Sequence, residues 1–126
     1  MATRVLYVDD DDDIREIASM ALALEPEFEV RSCDSGSAAL EMAGAWKPDI
    51  VLLDVMMPGM DGPTTFARLR SGEATANIPV VFITAKTQQN EIDRFMALGA
   101  CGVIAKPFDP MALAGLAKTY LENARA

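Results

Sequence analysis

Arg4-Val5-Leu6-Tyr7-Val8-Asp9-Asp10-Asp11-Asp12-Asp13-Ile14-Arg15-Glu16-Ile17 is an apolar run that breaks into five adjacent carboxylates and then into a helical pattern. The run does not alternate apolar with polar, as a strand with one wet face would. It reads as a strand covered on both faces. Asp11, Asp12 and Asp13 fit the cap and first turn of a helix over Asp12 to Leu24, where negative charge meets the positive helix end for about 0.3–1 kcal/mol each. Asp9 and Asp10 remain at the carboxyl edge of the strand, facing a crevice. Capping cannot serve both, so something cationic is expected beside them.

The same strand-then-helix unit recurs outward from this stretch. Phe28 to Ser32, Ile50 to Leu53, Val80 to Ile83 and Gly102 to Ala105 are short runs rich in apolar residues; Ser37 to Trp46, Pro63 to Arg70, Gln88 to Leu98 and Pro110 to Glu122 carry helical spacing. Asp109-Pro110 reads as a cap followed by proline in the first turn, Gly44 and Gly99 as helix stops, and Pro48 and Pro79 as residues beyond helix ends. In the closing helix, Met111, Leu113, Leu116 and Tyr120 share a face that most simply packs on the sheet, with a partner-binding stripe as the alternative. No internal repeat, low-complexity segment or linker interrupts the pattern. The reading is one α/β domain over residues 1–126, a doubly wound five-stranded parallel sheet in strand order 2-1-3-4-5.

Composition narrows the chemistry. The 126 residues carry a net charge of −8, which disfavours nucleic acid as a direct partner, because that binding draws on Lys and Arg. An acidic chain suits a metal ion or a basic protein surface. Histidine is absent, which removes Ser-His and Cys-His catalysis and most zinc sites. Cys33 and Cys101 lack metal-type spacing and read as buried reduced thiols. No apolar segment reaches membrane-spanning length and the start lacks a signal-peptide pattern, so the expected location is the cytoplasm, with no membrane partner.

Open sheets of this kind bind ligands beyond the carboxyl ends of their strands. Ile50-Val51-Leu52-Leu53 ends in Asp54 and continues Val55-Met56-Met57-Pro58-Gly59-Met60-Asp61-Gly62; the fourth strand ends at Thr84-Ala85 and the fifth at Lys106-Pro107-Phe108. Alone, Asp54 could equally be a helix cap or an ion-pair partner. In the order 2-1-3-4-5, however, Asp9, Asp10, Asp54, Thr84 and Lys106 converge on one edge. Three carboxylates offer a hard oxygen site for Mg2+. Asp54 would be the nucleophile of phosphoryl transfer, with Lys106, the Thr84 hydroxyl and the Ala85 amide neutralising phosphoryl oxygens.

These residues resemble the receiver domain of bacterial response regulators, of the chemotaxis-regulator type, over essentially the whole chain. Four motifs carry the likeness: Val8-Asp9-Asp10, Leu53-Asp54 through Gly62, Ile83-Thr84-Ala85 and Lys106-Pro107-Phe108. The resemblance implies a flavodoxin-like fold and Mg2+ held by Asp10, Asp54 and the Met56 carbonyl, with Asp9 acting largely through water. It implies phosphorylation of Asp54 by the phosphohistidine of a sensor histidine kinase or a histidine phosphotransfer protein, and a cis Lys106-Pro107 bond. Phosphorylation would then shift a pre-existing equilibrium through the fourth and fifth helices and the strand between them, towards a downstream protein target or a phosphorylation-dependent homodimer.

One position departs from the family pattern. Three residues before the lysine, where an aromatic switch is common, stands Val103. Thr84 is expected to move towards the phosphoryl group while the usual aromatic readout is missing or replaced. Met56 and Lys86, two residues beyond Asp54 and Thr84, flank the route of an attacking water. Met56 cannot orient that water, so a long-lived phosphoryl group is expected.

Nothing after Ala126 supplies an output domain, which suggests a stand-alone receiver, although a truncated chain would look the same. A phosphorelay intermediate and a degenerate receiver acting as a dimerisation module are the alternatives. An aspartate-nucleophile phosphatase would want a second acid where Met56 stands, and neither glycine fingerprint of the nucleotide-binding folds occurs. Beyond catalysing changes at its own aspartate, no turnover activity is expected.

Overall fold

The computed structural model describes residues 2–126. Met1, the first residue of the expected domain, lies outside the described residues. The chain alternates strictly: β1 (Thr3–Val8), α1 (Asp12–Ala23), β2 (Phe28–Cys33), α2 (Gly36–Trp46), β3 (Ile50–Asp54), α3 (Gly62–Ser71), β4 (Val80–Thr84), α4 (Gln89–Leu98), β5 (Gly102–Ala105) and α5 (Pro110–Arg125). The strands form one parallel sheet in the order β2-β1-β3-β4-β5, as expected.

Strand parity divides the core into two layers. Val5, Tyr7, Ile50, Leu52, Val81, Ile83 and Ile104 face α1 and α5, packing with Ala18, Leu22, Leu113, Ala117 and Leu121. Leu6, Val8, Val51, Leu53, Val80 and Phe82 face the other way, among residues of α2, α3 and α4. There Phe82 sits between Phe66 of α3 and Phe95 of α4, with ring centroids 5.5 and 4.9 Å away. β3 and β4 are buried along their whole length. The two edge strands depart from burial on both faces: β2 pairs only with β1 and exposes several residues, and β5 pairs only with β4 and exposes Ala105.

Helix ends follow local chemistry. The Asp11 side chain accepts from the amides of Asp13 and Ile14, Asp61 from Thr64 and Asp109 from Met111, so the predicted caps at Asp11 and Asp109 are present. Gly99 closes α4 with φ 110°. Gly44, read as a stop, is passed over: α2 continues to Trp46 and closes on Lys47 in the left-handed region, just before Pro48. The gain is burial of Trp46, which Arg4 and Arg31 flank with guanidinium carbons 5.5 and 4.7 Å from its ring centre. Helix α5 runs past Glu122 to Arg125, whose guanidinium meets Asp49 at 2.8 Å. On α5, Leu113 is buried and Leu116 and Tyr120 pack half-buried against the same core, as expected, whereas Met111 is exposed; Ala117 and Leu121 complete the packed face. Both cysteines are free; Cys33 is buried as expected, whereas Cys101 is only half-buried.

Candidate phosphoryl-acceptor site

The parity that splits the core also builds the site. Asp9 continues the row of Tyr7, Asp54 the row of Leu52, and Lys106 the row of Ile104, so all three leave the strand ends on the α1 and α5 side. Lys106 Nζ donates to Asp9 Oδ2 at 3.0 Å and to Asp54 Oδ1 at 3.3 Å. It is a cation beside Asp9 and Asp54, and its salt bridges do not include Asp10. Carboxylate oxygens of Asp9, Asp10 and Asp54 lie within 4.8 Å of one another. Asp9 is fully buried and Asp54 is 3 % exposed, while Asp10 is exposed at the rim.

Like charges crowd this cluster. Burial, then the Asp9 charge, push the Asp54 carboxyl up from 3.8 to about 6, although Lys106 opposes the shift. Burial pulls the Lys106 ammonium down, but its bonds to Asp9 and the charges of both acids outweigh that and leave it raised. Three carboxylates, two of them buried, thus face one ammonium.

Two residues not anticipated from the sequence brace Asp9. Tyr7, fully buried in β1, donates its hydroxyl to Asp9 Oδ2 at 3.0 Å, and Arg15 of α1 donates to the Asp9 carbonyl at 2.9 Å. Burial and then the Asp9 charge hold the Tyr7 phenol well above its ordinary pKa. The Asp11 amide donates to Asp9 Oδ1 at 3.0 Å. The available signal was period two: Tyr7 precedes Asp9 by two residues in a strand and so shares its face.

The loop after Asp54 is fixed at its far end. Gly62 N donates to the Val55 carbonyl at 2.9 Å, and a Cβ on Gly62 would stand 2.5 Å from the Asp54 carbonyl oxygen. Only glycine lets α3 begin so close to the strand that carries Asp54. Met56, between them, is 68 % exposed.

Thr84 and Ala85 stand on the adjoining strand end but are not joined to the cluster. Asp54 pairs with Ile83, one residue short of Thr84, and by parity Thr84 belongs to the opposite row of β4. Its Oγ1 accepts from the Lys86 amide at 3.0 Å, and among the described residues no hydrogen bond links it to Asp54. Val103 is half-buried beside the α2–α4 layer and pairs in register with Phe82. Its carbonyl accepts from the Tyr120 hydroxyl of α5 at 3.0 Å, and the Lys106-Pro107 bond is cis.

The signature of the response regulator receiver domain matches residues 5–118. The chain belongs to this family. Receiver domains of two-component systems take phosphate from histidine kinases and use Mg2+ at an acidic pocket, which fits the cluster seen here. The receiver is 38 % identical over 121 residues to the transcriptional regulatory protein CseB of Streptomyces coelicolor, covering 96 % of this chain and 50 % of that one. It is 40 % identical over 113 residues to the response regulator PleD of Caulobacter vibrioides, covering 90 % of this chain and 25 % of the relative. It therefore spans half or less of these relatives. The structure of the Vibrio cholerae chemotaxis response regulator CheY4 superposes with TM-score 0.86 at 29 % identity, over 95 % of this chain and 99 % of that one. Among the described residues, no helix is long and apolar enough to cross a membrane.

Proposed function

We propose that this receiver accepts a phosphoryl group on Asp54 and thereby switches a protein–protein interaction. The observation that carries the reading is the shared lysine: Lys106 bonds both Asp9 and Asp54, whose oxygens cluster with those of Asp10. The excess of carboxylate over ammonium, in oxygen donors only, fits Mg2+. Asp10, Asp54 and the Met56 carbonyl would hold it. Asp9 would act through water, because three protein donors already occupy its oxygens. When bound, the ion supplies positive charge against the phosphoryl oxygens.

The rest falls to the chain's own groups. An Asp54 oxygen forms a bond to phosphorus as the phosphorus–nitrogen bond of the partner's phosphohistidine breaks, and the imidazole leaves with the electron pair. Lys106 shifts towards the new equatorial oxygens, joined by the Ala85 amide. The Thr84 oxygen is an acceptor from Lys86, so its hydroxyl hydrogen remains free to donate. The chain runs this chemistry on its own aspartate and turns over no other substrate.

Output runs through α4, β5 and α5. Helix α4 has no side-chain cap and buries only Phe95, so a small free-energy change can move it. With Val103 at the usual aromatic position, the Tyr120 bond to the Val103 carbonyl is the contact between β5 and α5 that such a move would load. The partners are a sensor histidine kinase or histidine phosphotransfer protein upstream, and a protein target or second copy downstream. Phosphotransfer from a kinase panel tests this: the wild type takes label with a kinetic preference, and Asp54→Asn takes none. Label retained by Asp54→Asn would overturn the reading.

A further inference from the structure

We infer that Tyr7 is a positioning residue for phosphoryl transfer: its buried hydroxyl holds Asp9 so that Lys106 can leave Asp9 for the arriving phosphoryl oxygens. The inference rests on the proposed function above and adds a residue to it. Asp9 Oδ2 accepts from both Tyr7 and Lys106 at 3.0 Å, while Lys106 also reaches Asp54 Oδ1 at 3.3 Å. When Lys106 turns to the phosphoryl group, each oxygen it leaves needs another donor or a smaller charge.

Asp54 gains the second remedy by chemistry, since its attacking oxygen becomes part of an acyl phosphate. Asp9 does not. It is 0 % exposed, and a buried carboxylate oxygen without a donor is costly. Tyr7 is the donor already on that oxygen that does not have to move. Its ring is locked in the sheet at 0 % exposure, and its edge meets Phe108 with centroids 6.4 Å apart at 71°. Phe108 follows Lys106-Pro107, so one side chain braces both Asp9 and the turn that carries the lysine. A tyrosine needed only for core filling would be served as well by phenylalanine.

The test is Tyr7→Phe, which keeps the ring and the Phe108 contact and removes only the hydroxyl. With phosphoramidate as donor and saturating Mg2+, the initial rate of Asp54 labelling should fall about tenfold, the scale of one lost hydrogen bond to a charged group. Mg2+ affinity by calorimetry should be unchanged or tighter, because Asp9 Oδ2 loses one of the donors that occupy it. A generally loosened fold would weaken both together. Equal labelling rates, or a rate and a Mg2+ affinity that fall in parallel, overturn the role assigned to Tyr7 even if the wild type labels normally. A wild type that takes no label on Asp54 overturns the proposed function and this role with it.

Discussion

Removing the Asp54 charge should stabilise the metal-free receiver, and by an amount that depends on pH in a defined direction. Asp54 has its carboxyl raised from 3.8 to about 6 by burial and by Asp9. The folded state therefore holds that proton more tightly than the unfolded chain does. The associated stability is complete below the unfolded value and is lost as pH rises through about 6. A shift of that size corresponds to about 3 kcal/mol, and at 3 % exposure little of it is screened by solvent. Asparagine has the same shape and does not titrate. The stability of Asp54→Asn minus that of wild type should therefore grow by up to about 3 kcal/mol between pH 4 and pH 7 and be flat above. For a domain of this size that is on the order of 10 °C in Tm. Urea melts of both proteins in EDTA across this range measure it. Mg2+ at about a hundred times its Kd should return about 2.7 kcal/mol to the wild type. A difference that stays constant with pH, or grows as pH falls, would refute the account of a charge-strained site.

Lys106→Ala leaves two buried carboxylates without their cation; metal-free stability should fall by about 3 kcal/mol in urea melts, and phosphoramidate labelling should fall at least a hundredfold. Gly62→Ala forces a Cβ to 2.5 Å from the Asp54 carbonyl oxygen and 2.8 Å from the Val55 Cα. It should cost about 1–3 kcal/mol. Gly44→Ala, in a helix with nothing within 4 Å of the new Cβ, should instead stabilise by about 0.5–1 kcal/mol, so the pair separates close approach from helix propensity in thermal melts. Met56→Asn places a hydrogen-bonding group beside the route to the phosphoryl group and should speed loss of phosphate about tenfold. Following the decay of phosphorylated protein checks this, and a wild type that already loses phosphate as fast as the variant would contradict it.

How much of this could be read from residues alone depends on whether a feature is set by burial or by orientation. The order of elements was legible because β1, β3 and β4 are buried on both faces and so appear as unbroken apolar runs. At β2 the edge position leaves half the strand in water, and at Gly44 the burial of Trp46 outweighs a glycine that locally favours stopping. The same division holds in the site. Asp9, Asp54 and Lys106 each interrupt a strand's apolar run or follow it directly, so topology alone brings them together, and the shared lysine follows. Thr84 obeys the same topology, yet its strand parity is opposite and its oxygen is taken by Lys86. Which strand ends converge can be counted from the chain; which way a hydroxyl turns depends on the donors around it. Tyr7 is the reverse case. A tyrosine inside an apolar run reads as core, and it is core, but its one polar atom lies in the row that ends in Asp9. A buried phenol must find an acceptor. With Asp9 two residues ahead on the same face, the acceptor nearest along its own strand is the acid that also holds Lys106, so packing and charge arrangement meet in a single side chain.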